Sequence, residues 1–153
     1  MANTHSQIYL QFVFTVKYCE ALIHPSWEDE LYKYITGIIK NKGQFLVAIN
    51  GMPDHIHILV AMRPDLKPCD LAMEVKKSST EFIKDKKFLK SSFQWQAGYG
   101  VFSYSRWDVD KIVNYIGKQK IHHSRNSFKE EYLEMLKEFD IEFKDEYLFE
   151  FFE

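Results

Sequence analysis

Asp54-His55-Ile56-His57-Ile58-Leu59-Val60 is the stretch on which both fold and chemistry turn. Apolar residues fill it and the β-branched ones alternate, the pattern of a β-strand. Successive strand side chains point to opposite faces. His55 and His57 therefore share one face, and Ile56, Ile58 and Val60 take the other. Two imidazoles one strand-step apart can close on a single metal ion. The same pair also reads as two polar residues near the wet end of a strand, and short motifs match by chance often enough that the flanking chain must decide.

Upstream, residues 8–17 alternate, with Ile8, Leu10, Phe12 and Phe14 on one face and Tyr9, Gln11, Val13 and Thr15 on the other: a first strand. Ser26, with Asp29 three residues on, has the form of a capping box opening a helix. Trp27, Leu31, Tyr34, Ile35 and Ile38 recur on one face of it, and Gly43 suits its end. Residues 44–49 read as a second strand. Asn50-Gly51-Met52-Pro53 then reads as the hairpin turn into the histidine strand. Downstream, residues 69–86 predict a second helix burying Leu71, Val75 and Phe82. Lys76, Lys77, Lys84, Lys86 and Lys87 lie on its other faces, either as a solvated surface or as a local basic patch. Residues 93–104 predict a fourth strand, with Gly98-Tyr99-Gly100 marking a bulge or a close backbone approach. Ser105 and Asp108 open a third helix running to about His122, with Val109, Ile112, Val113 and Ile116 inward. Ser127 and Glu130 cap a fourth, in which Leu133, Leu136 and Phe139 are buried. The tail, 141–153, is acidic and aromatic and is expected to pack through Tyr147, Leu148 and Phe149.

The order β-α-β-β-α-β followed by two helices predicts an α+β fold of the ferredoxin-like, split β-α-β kind. The first and third strands are then central, so the histidines stand on a rigid inner strand. Their face lies away from the two crossover helices, where the third helix can cover it. The 153 residues suit a single domain spanning 1–153. A 46% hydrophobic and 27% charged composition is that of a globular chain, and a net charge of -2 gives no general attraction for nucleic acid. Any DNA-binding surface must be local. Cys19 and Cys69 have no metal-ligand spacing and read as free thiols of a cytoplasmic protein. The sequence begins with no signal-peptide pattern and contains no membrane-length apolar run.

Tyr115 and Gln119 are four residues apart, on one face of the third helix beside its apolar stripe. They read either as amphipathic surface or as site residues. With the His-x-His strand they make chemical sense, the amide oxygen as a third metal ligand and the phenol as a nucleophile. A phenol is a weak nucleophile at neutral pH. A phosphodiester tolerates that when a metal neutralises the charge developing on its oxygens.

Four segments then resemble one family, the single-tyrosine HUH transposases of insertion sequences and of REP-associated elements. Residues 51–60 (GMPDHIHILV) resemble the HUH motif, 93–103 (FQWQAGYGVFS) the segment before the catalytic helix, 115–119 (YIGKQ) the tyrosine motif, and 12–17 (FVFTVK) the first strand. Together the likeness spans about residues 4–132. It implies cleavage beside single-stranded DNA hairpins, a 5′-phosphotyrosine intermediate, Mg2+ or Mn2+ as cofactor, no nucleotide cofactor and a homodimer. Carried over by position, it implies Tyr115 as nucleophile and His55, His57 and Gln119 as metal ligands. Lys17, Lys76, Lys77, Lys84, His122 and His123 are the candidate DNA contacts. Imidazole suits softer metals than magnesium, so manganese is expected to serve well. Cys19 departs from the basic residue expected just after the first strand. Three other readings remain open on sequence: a non-catalytic nucleic-acid module on the same fold, a phosphodiesterase using water, and a protein with a relic site.

Overall fold

Four antiparallel strands form one sheet in the order β2-β3-β1-β4: β1 (Ile8–Thr15), β2 (Phe45–Met52), β3 (His55–Met62) and β4 (Gly100–Tyr104). The computed structural model describes residues 4–122 and 127–139. Helices α1 (Pro25–Asn41) and α2 (Pro68–Asp85) are the two crossovers. The chain continues as α3 (Val109–Gly117), α4 (Gln119–His122) and α5 (Phe128–Glu138). The sequence-derived topology holds, with β1 and β3 central. No helix among the described residues is long and apolar enough to cross a membrane.

Alternation along the central strands divides the interior into two cores. Phe12, Phe14, Ile56, Ile58 and Val60 pack on Leu31, Ile35 and Ile39 of α1 and on Leu71 and Val75 of α2. Val13 and Phe102, on the opposite face, meet Phe128, Tyr132, Met135 and Leu136 of α5. Burying each large aliphatic side chain stabilises the fold by about 1.5–3 kcal/mol. Truncating a fully enclosed one such as Ile35 to Ala would cost about 2–5 kcal/mol.

Several local expectations are corrected. Helix α1 is capped by His24, whose Nδ1 accepts from the Ser26 N–H at 3.0 Å, rather than by Ser26 itself. Pro25, with its fixed φ and no N–H to satisfy, is favoured at the first helical position and draws the start upstream. Tyr32 is buried in place of Tyr34, which instead stacks on Phe82 with centroids 4.1 Å apart. Asn50 and Gly51 belong to β2, and the chain turns at Pro53 and Asp54. Gly51 serves close approach: a Cβ there would stand 2.2 Å from the His55 carbonyl oxygen. The strand expected over 93–104 shrinks to Gly100–Tyr104, preceded by a single bridge between Val16 and Trp95. The expected third helix begins as a 3-10 turn, Arg106–Asp108, and is interrupted at Lys118 (φ -102°, ψ 19°). Gly117 just before the break lowers helix propensity there. Of its apolar stripe only Ile116 is fully buried. The fourth helix is as expected at its start, with the Ser127 side chain accepting from the Glu130 N–H at 3.2 Å. The acidic tail and His123 lie outside the described residues.

Candidate metal centre and active site

Strand β3 presents His55 and His57 to the face away from α1 and α2, opposite Thr15 and Val13 of β1. Their rings are 5.2 Å apart and nearly perpendicular, and both side chains are wholly buried. Asp54 lies 2.7 Å from His55 Nδ1 through Oδ1. When that Nδ1 carries the proton, Nε2 keeps its lone pair and faces the Gln119 Oε1 acceptor at 3.2 Å. Two lone pairs set against each other in a buried place fit a cation between them.

His57 is held from both sides. Its Nδ1 is 2.8 Å from the Gln11 amide nitrogen, and its Nε2 is 2.7 Å from Glu131 Oε1. The Tyr104 hydroxyl donates to Gln11 Oε1 at 2.7 Å, fixing the amide in turn. In this arrangement Nδ1 accepts from the amide and the ring proton sits on Nε2, facing Glu131. With the Gln11 amide turned over, Nδ1 carries the proton and Nε2 can bind a cation, the way outer partners orient metal-binding imidazoles. The same Glu131 oxygen is 3.9 Å from His55 Nε2. His55, His57 and Glu131 thus offer ligand atoms all within 4.8 Å of one another, with Gln119 adjoining. Two imidazoles, a carboxylate and an amide oxygen can hold a divalent cation. The carboxylate makes the donor set harder, easing the mismatch between imidazole and Mn2+ or Mg2+.

Tyr115 reaches the same point from α3. Its ring meets that of His57 edge-on at 5.8 Å, and its hydroxyl hydrogen-bonds Glu131 and Gln119. Burial, and then the Glu131 charge, push its pKa well above the ordinary phenol value, so it is neutral at physiological pH. The Lys118 break does not part Tyr115 from Gln119, because α4 is anchored separately. Lys120 Nζ pairs with Glu28 at 3.0 Å and donates to the Gly51 carbonyl at 3.1 Å. The Asn50 amide donates to the Gly117 carbonyl at 3.3 Å.

Helix α5 closes the site. Phe128 stacks on the His55 ring at 4.0 Å and 17°, and Glu131 is 7% exposed. Sequence reasoning missed Gln11, Asp54, Phe128 and Glu131 as site residues. The available signal was a carboxylate on an apolar stripe, since Phe128, Glu131, Tyr132 and Met135 recur at helical spacing.

The structure gathers His55, His57, Tyr115 and Gln119 at one point, and sets Lys17, Lys76 and Lys77 along one groove and Lys84 in another. Lys76 is half-buried, its ammonium donating to the carbonyls of Gln96 (2.8 Å) and Gly98, and burial lowers its pKa. Lys17 and Lys77 border the same groove as Lys76. Lys84 lines a separate hollow with Lys87 and Lys90. His122 is the last residue of α4.

Comparison with known proteins agrees with this architecture. The sequence model of the family described as "Transposase IS200 like" matches residues 4–119. A candidate transposase from Deinococcus radiodurans R1 superposes with a TM-score of 0.64 at 22% identity, over 78% of this chain and 95% of that one. A REP-associated tyrosine transposase bound to a REP hairpin gives 0.60 at 17% identity, over 80% and 74%. No curated protein matches the chain in sequence.

Proposed function

The chain belongs to the IS200-like transposase family, and we propose that it cuts and rejoins single-stranded DNA beside hairpins, with Tyr115 as nucleophile. The observation that carries this reading is the convergence of the Tyr115 hydroxyl on His55, His57, Gln119 and Glu131. The fold neighbour that holds a REP hairpin supports a hairpin substrate. His55, His57, Gln119 and Glu131 would hold Mn2+ or Mg2+, with Asp54 and Gln11 orienting the two rings. When bound, such a cation neutralises charge on the non-bridging phosphate oxygens and favours the phenolate.

The Tyr115 oxygen attacks the phosphorus, the bond to the 3′ oxygen breaks, and the 5′ phosphate stays on the tyrosine. Glu131, whose carboxylate acts on the hydroxyl through charge and a hydrogen bond, takes its proton. The departing 3′ oxygen takes up a proton from water. Rejoining reverses the step: a 3′ hydroxyl attacks the phosphotyrosine and the phenol leaves. Because the ring nitrogens are wholly buried under α5, a phosphate reaches them once Phe128 swings off His55, with Glu131 kept against His57. A two-fold homodimer would hold two DNA ends together.

The test is a hairpin oligonucleotide with unpaired flanks incubated with protein and Mn2+, resolved on a denaturing gel. The parent is expected to give a covalent protein–DNA band. Tyr115→Phe is expected to lose the band and the cleavage while binding the hairpin nearly as before, since only the nucleophilic oxygen is removed. Normal cleavage by the Phe variant, or cleavage with no adduct, would assign the attack to water and overturn this role.

A further inference from the structure

A hairpin with unpaired flanks needs somewhere to lay the single strand, and the histidine site is buried beneath α5. We propose that an open groove of about 770 Å3 at the end of β1 is a single-strand subsite, in which a base stacks on Tyr18 while neighbouring phosphates lie against Lys17 and Lys77. This deepens the function proposed above and rests on it.

The backbone at this place is unusual. Tyr18 (φ 60°) and Cys19 (φ 53°) are consecutive non-glycine residues in the left-handed region. Such strain persists where the surroundings over-determine it, and it concentrates at functional positions. Here the surroundings are rigid. The Lys17 N–H donates to the Gln94 carbonyl at 2.9 Å and the Gln96 N–H to the Thr15 carbonyl at 2.8 Å. The Lys76 ammonium ties the Gln96 and Gly98 carbonyls from below.

The outcome is a tyrosine 44% exposed on a fixed base, with Lys17 Nζ 5.3 Å from its ring centre. Across the groove α2 contributes the exposed Met73 and Lys77. Three lysines against the single acid Glu81 make the groove positive on a chain of net charge -2. An aromatic platform with flanking cations suits a single strand, because every base has a face to stack and every link a phosphate. Gln94 and Gln96 add amides able to donate to and accept from a base edge.

The position also fits. Thr15 pairs with His55, and Tyr18 is three residues beyond it, at most about 11 Å of chain. A strand leaving the histidine pocket can therefore pass round the end of the sheet into the groove.

Fluorescence anisotropy on the full chain with three labelled DNAs tests the subsite: a blunt hairpin, the same hairpin with about six unpaired nucleotides at each end, and one whose extensions are abasic. The parent is expected to bind the base-bearing extensions about tenfold more tightly than the blunt hairpin. The abasic extensions should recover only a salt-sensitive part of that gain. Tyr18→Ala should lose most of the gain, Tyr18→Phe should retain it, and Lys77→Glu should weaken it at low salt. Unchanged binding of the blunt hairpin by Tyr18→Ala would certify its fold. Retention of the full gain by Tyr18→Ala, or an equal gain from abasic extensions, would overturn the subsite. A parent that forms the tyrosine adduct yet shows no preference for extensions would overturn the subsite alone. A parent that neither binds nor cuts any of the three would overturn the function as well.

Discussion

Glu131 brings a negative charge into a pocket otherwise made of two imidazoles, an amide and a phenol. Its oxygen 2.7 Å from His57 Nε2 occupies the side of the ring through which a cation would be bound. If it is a ligand, Glu131→Gln keeps the shape and removes the charge, and Mn2+ affinity measured by titration calorimetry should fall by at least about tenfold. His57→Ala should abolish binding while the far-ultraviolet dichroism of the protein stays that of the parent. Unchanged affinity in either variant would strike that residue from the ligand set. The two histidines were legible in sequence because both fall within three residues of one strand, where a period of two places them together. Tyr115 and Gln119 were legible as a helical pair whose meaning came from the family resemblance. Glu131 and Gln11 were not, since they meet His57 across 74 and 46 residues, and neither spacing carries a pattern.

Helix α5 is the element that lies beyond the family-matched residues 4–119 and yet covers the centre those residues build. Its hold on the site is the Phe128 stack on His55 and the contacts of Tyr132, Met135 and Leu136 with the second core. Phe128→Ala removes a buried aromatic, a change that costs about 3–5 kcal/mol in a well-packed place, and most of that falls on the docking of α5. His55 and His57, shielded in the parent, should then react with diethylpyrocarbonate, and cleavage should fall because Glu131 leaves the site with the helix. Imidazoles as unreactive as in the parent would mean that α5 stays docked and that DNA reaches the site another way. Elements with strict alternation or helical spacing were readable in sequence, β1 and β3 above all. The strand expected over 93–104 misled for a physical reason. Phe93 and Trp95 do alternate into the core, but Gly98 takes a positive φ of 82° and Lys76 claims the carbonyls a ladder would use. The Asn50-Gly51 turn misled similarly, because that glycine answers a close approach between strands rather than a reversal of the chain.

At the scale of the whole molecule, the proposed dimer raises the choice of which subunit's tyrosine serves which histidines. Two-fold dimers are the commonest oligomers, and holding two DNA ends gives a dimer mechanistic use. Within one chain α3 is already docked. Asn50 holds Gly117, Lys120 bridges Glu28 and Gly51, and Tyr115 lies edge-on to His57 of the same chain. A helix exchanged between subunits would make the same contacts with its neighbour, so their strength alone does not choose. The connection does. The short 3-10 turn Arg106–Asp108 joins β4 to α3, and a tether that short keeps the helix at high effective concentration over its own sheet. The tyrosine is therefore expected to act in cis. Mixing a His57→Ala subunit with a Tyr115→Phe subunit, each inactive alone, under conditions of subunit exchange separates the arrangements. In trans, roughly half the dimers after random exchange would regain one intact site, and the covalent band would return. In cis every subunit carries its own lesion and no site is whole, so no band is expected, while sedimentation of the same mixture should give a dimer. Return of the band would show that α3 crosses to the partner once two chains assemble, and a monomer in sedimentation would remove the dimer itself.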